Sequence, residues 1–389
     1  MNSLSVANTK FAVDFLRELR PSADNAFFSP LSIGSAFSMV SLGAKGNTAH
    51  QIKEVLHFSE VTGETKKTCT TSHAEDSEIV HHQFQKMLTE LNTPTDAFEL
   101  KIANSLYGEK TFQFLQEYLD KLKKFYLANM ESLDFANNAE ESRKKINAWV
   151  ESQTNDKIKD LFPVDSLGSS TILVLVNAIY FKGQWEERFK KEYTEEGNFW
   201  LNKDVSKPVQ MMKQTKDFNV ASLEAEQAKI LEMPYKGNEL SMFVLLPNEV
   251  DGLQKLQDSL TAEKLLDWTS TQNMVKMQVY VCFPRFKMAE KYDLKKTLTA
   301  LGMADTFNPK KADLSGMSQE GGLVVTKALH QSFVEVTEEG TEAAAATGID
   351  VSLTSAPILE EFCCDHPFLF FIKENKTNCI LFVGRFASP

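Results

Sequence analysis

Three short groupings of reactive side chains could do chemistry. Cys364-Asp365-His366 sets a thiol, a carboxylate and an imidazole in consecutive positions. A thiol nucleophile needs its base within hydrogen-bond reach, and the base needs a third group to orient it. Adjacent residues on an extended chain point to opposite faces, so Cys364 and His366 would share a side without an implied cleft, and a buried strand start is the simpler reading. His81-His82 are neighbours on an expected helix and cannot hold one metal from one face; a solvated pair is expected. Glu338-Glu339 reads as strand-end charge rather than an acid/base couple. GxSxG, P-loop, HExxH and GxGxxG patterns are all missing, so neither an enzyme nor a metal or cofactor is expected.

Composition narrows the class further. The 389 residues are 42% hydrophobic and 24% charged, ordinary for a soluble domain with a sizeable core. A formal charge of -11 disfavours general nucleic-acid binding. The start, Met1 to Lys10, lacks a basic segment followed by an apolar run, so no cleaved secretory signal is expected. Apolar runs such as Ile172 to Ile179 are broken by Asn177 and fall well short of the ~18 residues of a membrane span. Cys69, Cys282, Cys363, Cys364 and Cys379 lack zinc-ligand spacing and read as reduced thiols of a cytoplasmic protein.

The elements that would carry these residues begin with helices. Leu4 to Leu19 places Phe11, Val13, Phe15 and Leu16 on a helical stripe. Phe27-Phe28 reads as a strand before a Ser29-Pro30 helix start, and Asn47 or Thr48 is expected to cap a helix bearing Ile52, Val55 and Leu56. A long polar surface loop is expected over 59–77, then helices through Phe84 to Leu91, Phe114 to Phe125 and Ser142 to Ile158, with a strand at Asn104 to Tyr107. From Thr171 strands dominate: Leu173 to Phe181, apolar throughout and so buried on both faces, then Ala228 to Pro234, Leu240 to Leu246, Met274 to Phe283, His366 to Ile372 and Cys379 to Phe386. Short helices are expected at Ala262 to Trp268 and Asp293 to Leu301.

One stretch resists assignment. Phe333 to Thr337 alternates like a strand, yet Glu338-Glu339-Gly340-Thr341-Glu342 runs straight into Ala343-Ala344-Ala345-Ala346-Thr347-Gly348, rich in the best helix former. Ile349 to Pro357 then has neither period and reads as exposed loop.

Taken together, several segments resemble the serpin family. They are Phe28-Ser29-Pro30-Leu31-Ser32-Ile33, Leu175 to Trp185, Phe283-Pro284-Arg285-Phe286, Val334 to Thr347, and Asp365 to Ile372. The likeness spans the chain in order. Its missing signal and its end at Ser388-Pro389 resemble the intracellular, ovalbumin-like branch, clade B, and within it the squamous cell carcinoma antigen serpins.

The resemblance implies an α+β serpin fold in one domain, residues 1–389, with three β-sheets, about nine helices and an exposed reactive-centre loop over 340–357. It implies a protease inhibitor acting as a suicide substrate. A target cleaves the loop and is trapped as an acyl-enzyme while the loop inserts into the central sheet, the strand addition and strain release typical of such loops. The hinge would be Glu339, Gly340, Thr341, Glu342, Ala343, Ala344, Ala345, Ala346 and Thr347. Thr341, Ala343, Ala345 and Thr347 would share one inserted face, with no proline or bulk to oppose entry.

Family spacing sets the reactive bond at Thr354-Ser355, with Leu353-Thr354 the alternative, and makes Leu353 the specificity residue. Neither bond follows Arg or Lys, which argues against trypsin-like targets and towards papain-like cysteine cathepsins or chymotrypsin-like serine proteases. Ser29, Ser32, Asn177 and His330 match the polar cluster where the family's central sheet parts, and Trp185 matches its upper opening. A monomer is expected, without nucleic acid, membrane or cofactor as partner, cytoplasmic or released by an unconventional route. The alternative is a non-inhibitory serpin acting as a binding or chaperone-like protein.

Overall fold

The computed structural model describes residues 3–22, 24–63, 73–339 and 359–389. Among these, fourteen strands and ten α-helices pack around two apolar cores.

The central sheet has five strands. In spatial order they are β10 (Phe286–Asp293), β11 (Val325–Val336), β4 (Leu173–Gly183), β2 (Phe98–Glu109) and β3 (Met130–Leu133). β4 is buried along its length except at Lys182. The period of two explains how both faces are covered. Leu173, Leu175, Ile179 and Phe181 enter the large core beside the helix Pro30–Ser41, while Val174, Val176 and Ala178 enter the smaller one with Phe135, Ile146 and Val150. A strand buried on both faces needs the near-continuous apolar run seen in the sequence. β11 alternates instead, with every second side chain buried from Ala328 to Val336.

β10 and β11 are antiparallel, as are β4 and β2, but β11 and β4 lie side by side in parallel, from Val325↔Leu173 to Val334↔Phe181.

The remaining strands form one sheet rather than the expected two. Its order is β1 (Ala26–Phe28), β14 (Cys379–Phe386), β13 (Phe368–Glu374), β8 (Leu240–Pro247), β7 (Ala228–Pro234), β6 (Ser206–Leu223), β9 (Val275–Pro284) and β12 (Glu360–Cys363), with β5 (Glu195–Trp200) also on β6. The 18-residue β6 is the cause. Its residues Met211 to Val220 pair with β9 while Asn219 to Leu223 pair with β7, so a continuous ladder joins what would be two sheets. Close packing here depends on Gly384, where a Cβ would lie 2.1 Å from the Phe370 ring.

Several local expectations shift. The interval 59–77 holds a helical turn at Ser59–Thr62, seated by Val61, and from His73 the helix that runs to Leu91. Neither Asn47 nor Thr48 caps a helix: the helix Gly46–Val55 starts after Lys45, while Asn47 donates to Asp305 and Thr48 accepts from the Asp313 backbone. The helix expected at Ser142 to Ile158 spans Phe135–Gln153, capped by Asp134 and followed by Asn155 and Asp156 at positive φ. His81 is no solvated residue. It is buried, with Nδ1 2.5 Å from the Tyr126 hydroxyl, and burial lowers its pKa to about 3. His82 alone is exposed.

Candidate functional site

Four side chains cross the central sheet in one row. Register aligns Tyr292 on β10 with His330 on β11, His330 with Asn177 on β4, and Asn177 with Asn104 on β2. Partners in register share a sheet face. Asn177 belongs to the odd-numbered face of β4 that meets the helix Pro30–Ser41, which makes it a polar residue inside an apolar strand. A buried amide or imidazole is tolerated only if its hydrogen bonds are met.

They are met by the start of that helix. Asn177 Nδ2 donates to Ser32 Oγ at 2.7 Å and to the Ser32 carbonyl at 3.0 Å, and also contacts Asn104 Oδ1. Asn104 Nδ2 donates to Ser35 Oγ at 2.8 Å. Ser29 caps the helix, its hydroxyl accepting from the Ser32 N–H at 3.1 Å. The Ser29 N–H donates to His330 Nε2 at 3.1 Å, so that nitrogen must be the acceptor. Nδ1 then carries the proton and donates to Asn177 Oδ1. Burial lowers the His330 pKa to about 3, in keeping with a neutral ring, and Tyr292 stacks beside it at 6.3 Å. The row thus ties β11 to β4 by side chains as well as by backbone.

The upper end of the same seam is held differently. β4 ends at Gly183, and Trp185 stacks on Tyr235 with ring centroids 4.6 Å apart. Gly183 is required there, since a Cβ would lie 2.5 Å from the Tyr235 ring. Trp185 Nε1 donates to the Thr337 carbonyl at 2.9 Å, and the Phe189 N–H donates to the Glu338 carbonyl at 2.9 Å. Glu338 is 2% exposed; its carboxylate accepts from Thr194 Oγ1 at 2.8 Å and pairs with Arg285 at 3.4 Å. Lys191 pairs with Glu339 at 2.9 Å. Residues 337–339 therefore continue the line of β11, pinned to segments beyond β4.

Ser29, Ser32, Asn177 and His330 are brought together, and Trp185 lies at the other end of the seam, against the Thr337 carbonyl. Of the residues expected to form the hinge, Glu339 alone is described. Gly340 to Thr347, Leu353, Thr354 and Ser355 lie outside the described residues. Sequence reasoning missed Asn104, Ser35 and Tyr292, which only strand register brings beside Asn177 and His330. It also missed Arg285 and Thr194 as partners of Glu338. A polar Asn104 inside an expected strand was the one local signal.

The Cys364-Asp365-His366 grouping does not assemble. Cys364 is fully buried and its thiol pKa is raised by desolvation, while His366 contacts Asp365 Oδ1 at 2.7 Å and the Pro247 carbonyl at 2.6 Å.

Comparison with known proteins agrees with this geometry. The family described as "Serpin (serine protease inhibitor)" matches residues 6–389. Human Serpin B4 and Serpin B3 are 64% and 62% identical, each over 100% of both chains, and horse leukocyte elastase inhibitor is 46% identical over the same full extent. Uncleaved ovalbumin superposes with a TM-score of 0.89 at 39% identity, covering 99% of this chain and 100% of that one. A loop-inserted structure of a cleaved ovalbumin mutant gives 0.85 at 38%, covering 99% and 100%. On fold, seam and full-length identity together, this chain belongs to the serpin family, in its clade B branch with the squamous cell carcinoma antigen serpins.

Proposed function

We propose that this chain inhibits proteases as a suicide substrate, by inserting its cleaved loop between β4 and β11. The parallel pairing of those two strands carries the reading. A segment that leaves the top of β11 and doubles back would run antiparallel to β11 and to β4 at once. Each of its backbone groups could then find a partner on one side or the other, whereas a parallel pair gives slightly less per residue than antiparallel ladders. The side-chain row at His330 and Asn177 and the pins at Trp185 and Glu338 are contacts such a strand would have to displace. They set the barrier that keeps the uncut loop out.

The hinge composition fits this path. Thr341, Ala343, Ala345 and Thr347 are small enough to pass over a packed sheet, and the hinge contains no proline that would leave a ladder bond unmade. The reaction at the bait bond is the protease's own; the inhibitor contributes the substrate segment and then the displacement that distorts the acyl-enzyme. The bond is Thr354-Ser355, with Leu353 filling the apolar subsite that papain-like cysteine cathepsins weigh most; cleavage at Leu353-Thr354 would instead suit a chymotrypsin-like pocket. The similarity to an elastase inhibitor and to a cleaved, loop-inserted relative supports the mechanism at family level. The proposed setting is the cytoplasm, with the monomer as the acting form.

The test is a titration of cathepsin L, cathepsin S, chymotrypsin and cathepsin G with the protein, followed by mass mapping of the released C-terminal peptide. At least one enzyme should lose activity in proportion to added protein, with the peptide starting at Ser355 or Thr354. Cleavage in this region with full protease activity retained in every case would overturn the inhibitory reading and leave a binding protein.

A further inference from the structure

We propose that Cys282 and Cys363 form a reversible dithiol–disulfide site that staples β12 to β9. The two residues are register partners on adjacent parallel strands, and their sulfurs approach to 2.6 Å as free thiols. Neighbouring strands lie about 4.7–4.9 Å apart, inside the Cα separation of roughly 4.4–6.8 Å that a disulfide spans. No other described cysteine competes: Cys364 faces the core, and Cys379 lies on β14 elsewhere in the sheet.

The setting favours reaction at one sulfur. Lys213 on β6 is the register partner of Cys282 on its other side, so a cation, a thiol and a second thiol stand in a row across three strands. The thiol of Cys363 and the hydroxyl of Tyr280 stabilise the Cys282 thiolate, with the Lys213 charge adding to them, and its pKa is lowered against the opposing effect of burial; Asp365 opposes more weakly. Cys363 is raised and stays protonated. It is half-buried, which leaves a small oxidant a route to the pair.

The oxidant class is a hydroperoxide. With hydrogen peroxide, the simplest of the class, the Cys282 thiolate attacks one oxygen, the O–O bond breaks, a sulfenic acid forms, and the departing hydroxide takes up the proton that Cys282 had released and leaves as water. The Cys363 sulfur then attacks the sulfenic sulfur, the S–O bond breaks and a second water departs. Two thiols have lost two electrons and the peroxide has gained them. A small thiol reverses the bond by exchange.

The position gives the bond a consequence. Among the described residues β12 is at the edge of its sheet and pairs with β9 alone, through four register pairs. It is the first described strand after residues 340–358, so its grip on β9 anchors the chain where that segment ends. Oxidation would hold β12 in place.

Brief treatment of the full-length protein with hydrogen peroxide, then alkylation, proteolysis without reductant and mass mapping, tests the site. A linked Cys282–Cys363 peptide should appear, vanish on adding dithiothreitol, persist in Cys364→Ser and be lost in both Cys282→Ser and Cys363→Ser. In the oxidised protein the amides of 360–363 should exchange about tenfold more slowly than in the reduced one. A link through Cys364 or Cys379 instead, or free thiols at both positions after peroxide, would overturn the proposal. These readouts need no protease, so their failure is distinct from failure of the inhibitory reading.

Discussion

At residue scale, His330 and Asn177 join β11 to β4 through their side chains. Asn177 donates to Ser32 and Asn104 and accepts from His330, so Asn177→Ala would strand a buried imidazole N–H and a helix-start hydroxyl. Each unmet buried group costs about 1–3 kcal/mol, so with two of them urea unfolding should show a loss of roughly 2–6 kcal/mol. An unchanged midpoint would mean the row is ornamental. pH acts through the same pair. The folded-state pKa of His330 is about 3 against an ordinary 6.5, so the unfolded chain takes up the proton first as pH falls. The stability contributed by the neutral ring is complete above about 6.5 and is lost progressively down towards 3. His81, also held near 3, adds a second slope of the same sign. His330→Asn should flatten its share of that slope in chemical unfolding measured from pH 7 to 4.

At the scale of elements, the seam has two clasps of different kinds. The lower one is a row of side chains pressed on a helix start; the upper one is backbone held by Trp185 and Phe189, with a buried carboxylate paired to Arg285. Glu338→Gln keeps the shape but removes the charge, and amides of 337–339 should exchange about tenfold faster, since a hydrogen bond to a buried charge contributes about 1.5–3 kcal/mol. Thr341→Arg acts on the segment proposed to insert. A long cation entering a packed sheet face should leave cleavage intact and abolish inhibition, read as residual protease activity after complete cleavage. Persistent inhibition would mean that insertion does not pass through this hinge.

The same scale shows what the sequence made legible. β4 could be read because both of its faces are buried and the run is almost unbroken. Ser29, Ser32 and Asn177 could be named because short motifs carry them, and His330 by its place just ahead of the segment that starts at Val334. β5, β6 and β10 went unread for a physical reason: β6 exposes Lys207, Lys216 and Asp217 and is buried only at scattered points, so it lacks the clean alternation of a half-buried strand. Asn104, Tyr292 and Arg285 join the site through register and loop geometry, and register is set by long-range pairing rather than by local spacing.

For the whole molecule, the proposed mechanism makes the uncut fold one arrangement of the central sheet and the cleaved fold another with an added strand. Exchanging a parallel pair for two antiparallel ladders should raise thermal stability, so limited cleavage within 340–358 should move the unfolding midpoint upward. An unchanged or lower midpoint would place the cleaved segment outside the sheet. The other sheet is joined across nine strands, with Gly384 packed under Phe370 and β6 spanning two groups of strands.

Whether cleavage traps the protease can be read on a denaturing gel of the protein mixed with a protease that cuts within residues 340–358. Trapping gives a band at the summed mass of the enzyme and the shortened inhibitor, resistant to boiling in detergent. Complete conversion to cleaved protein, with free protease and no such band for any enzyme that cuts at Leu353-Thr354 or Thr354-Ser355, would contradict it.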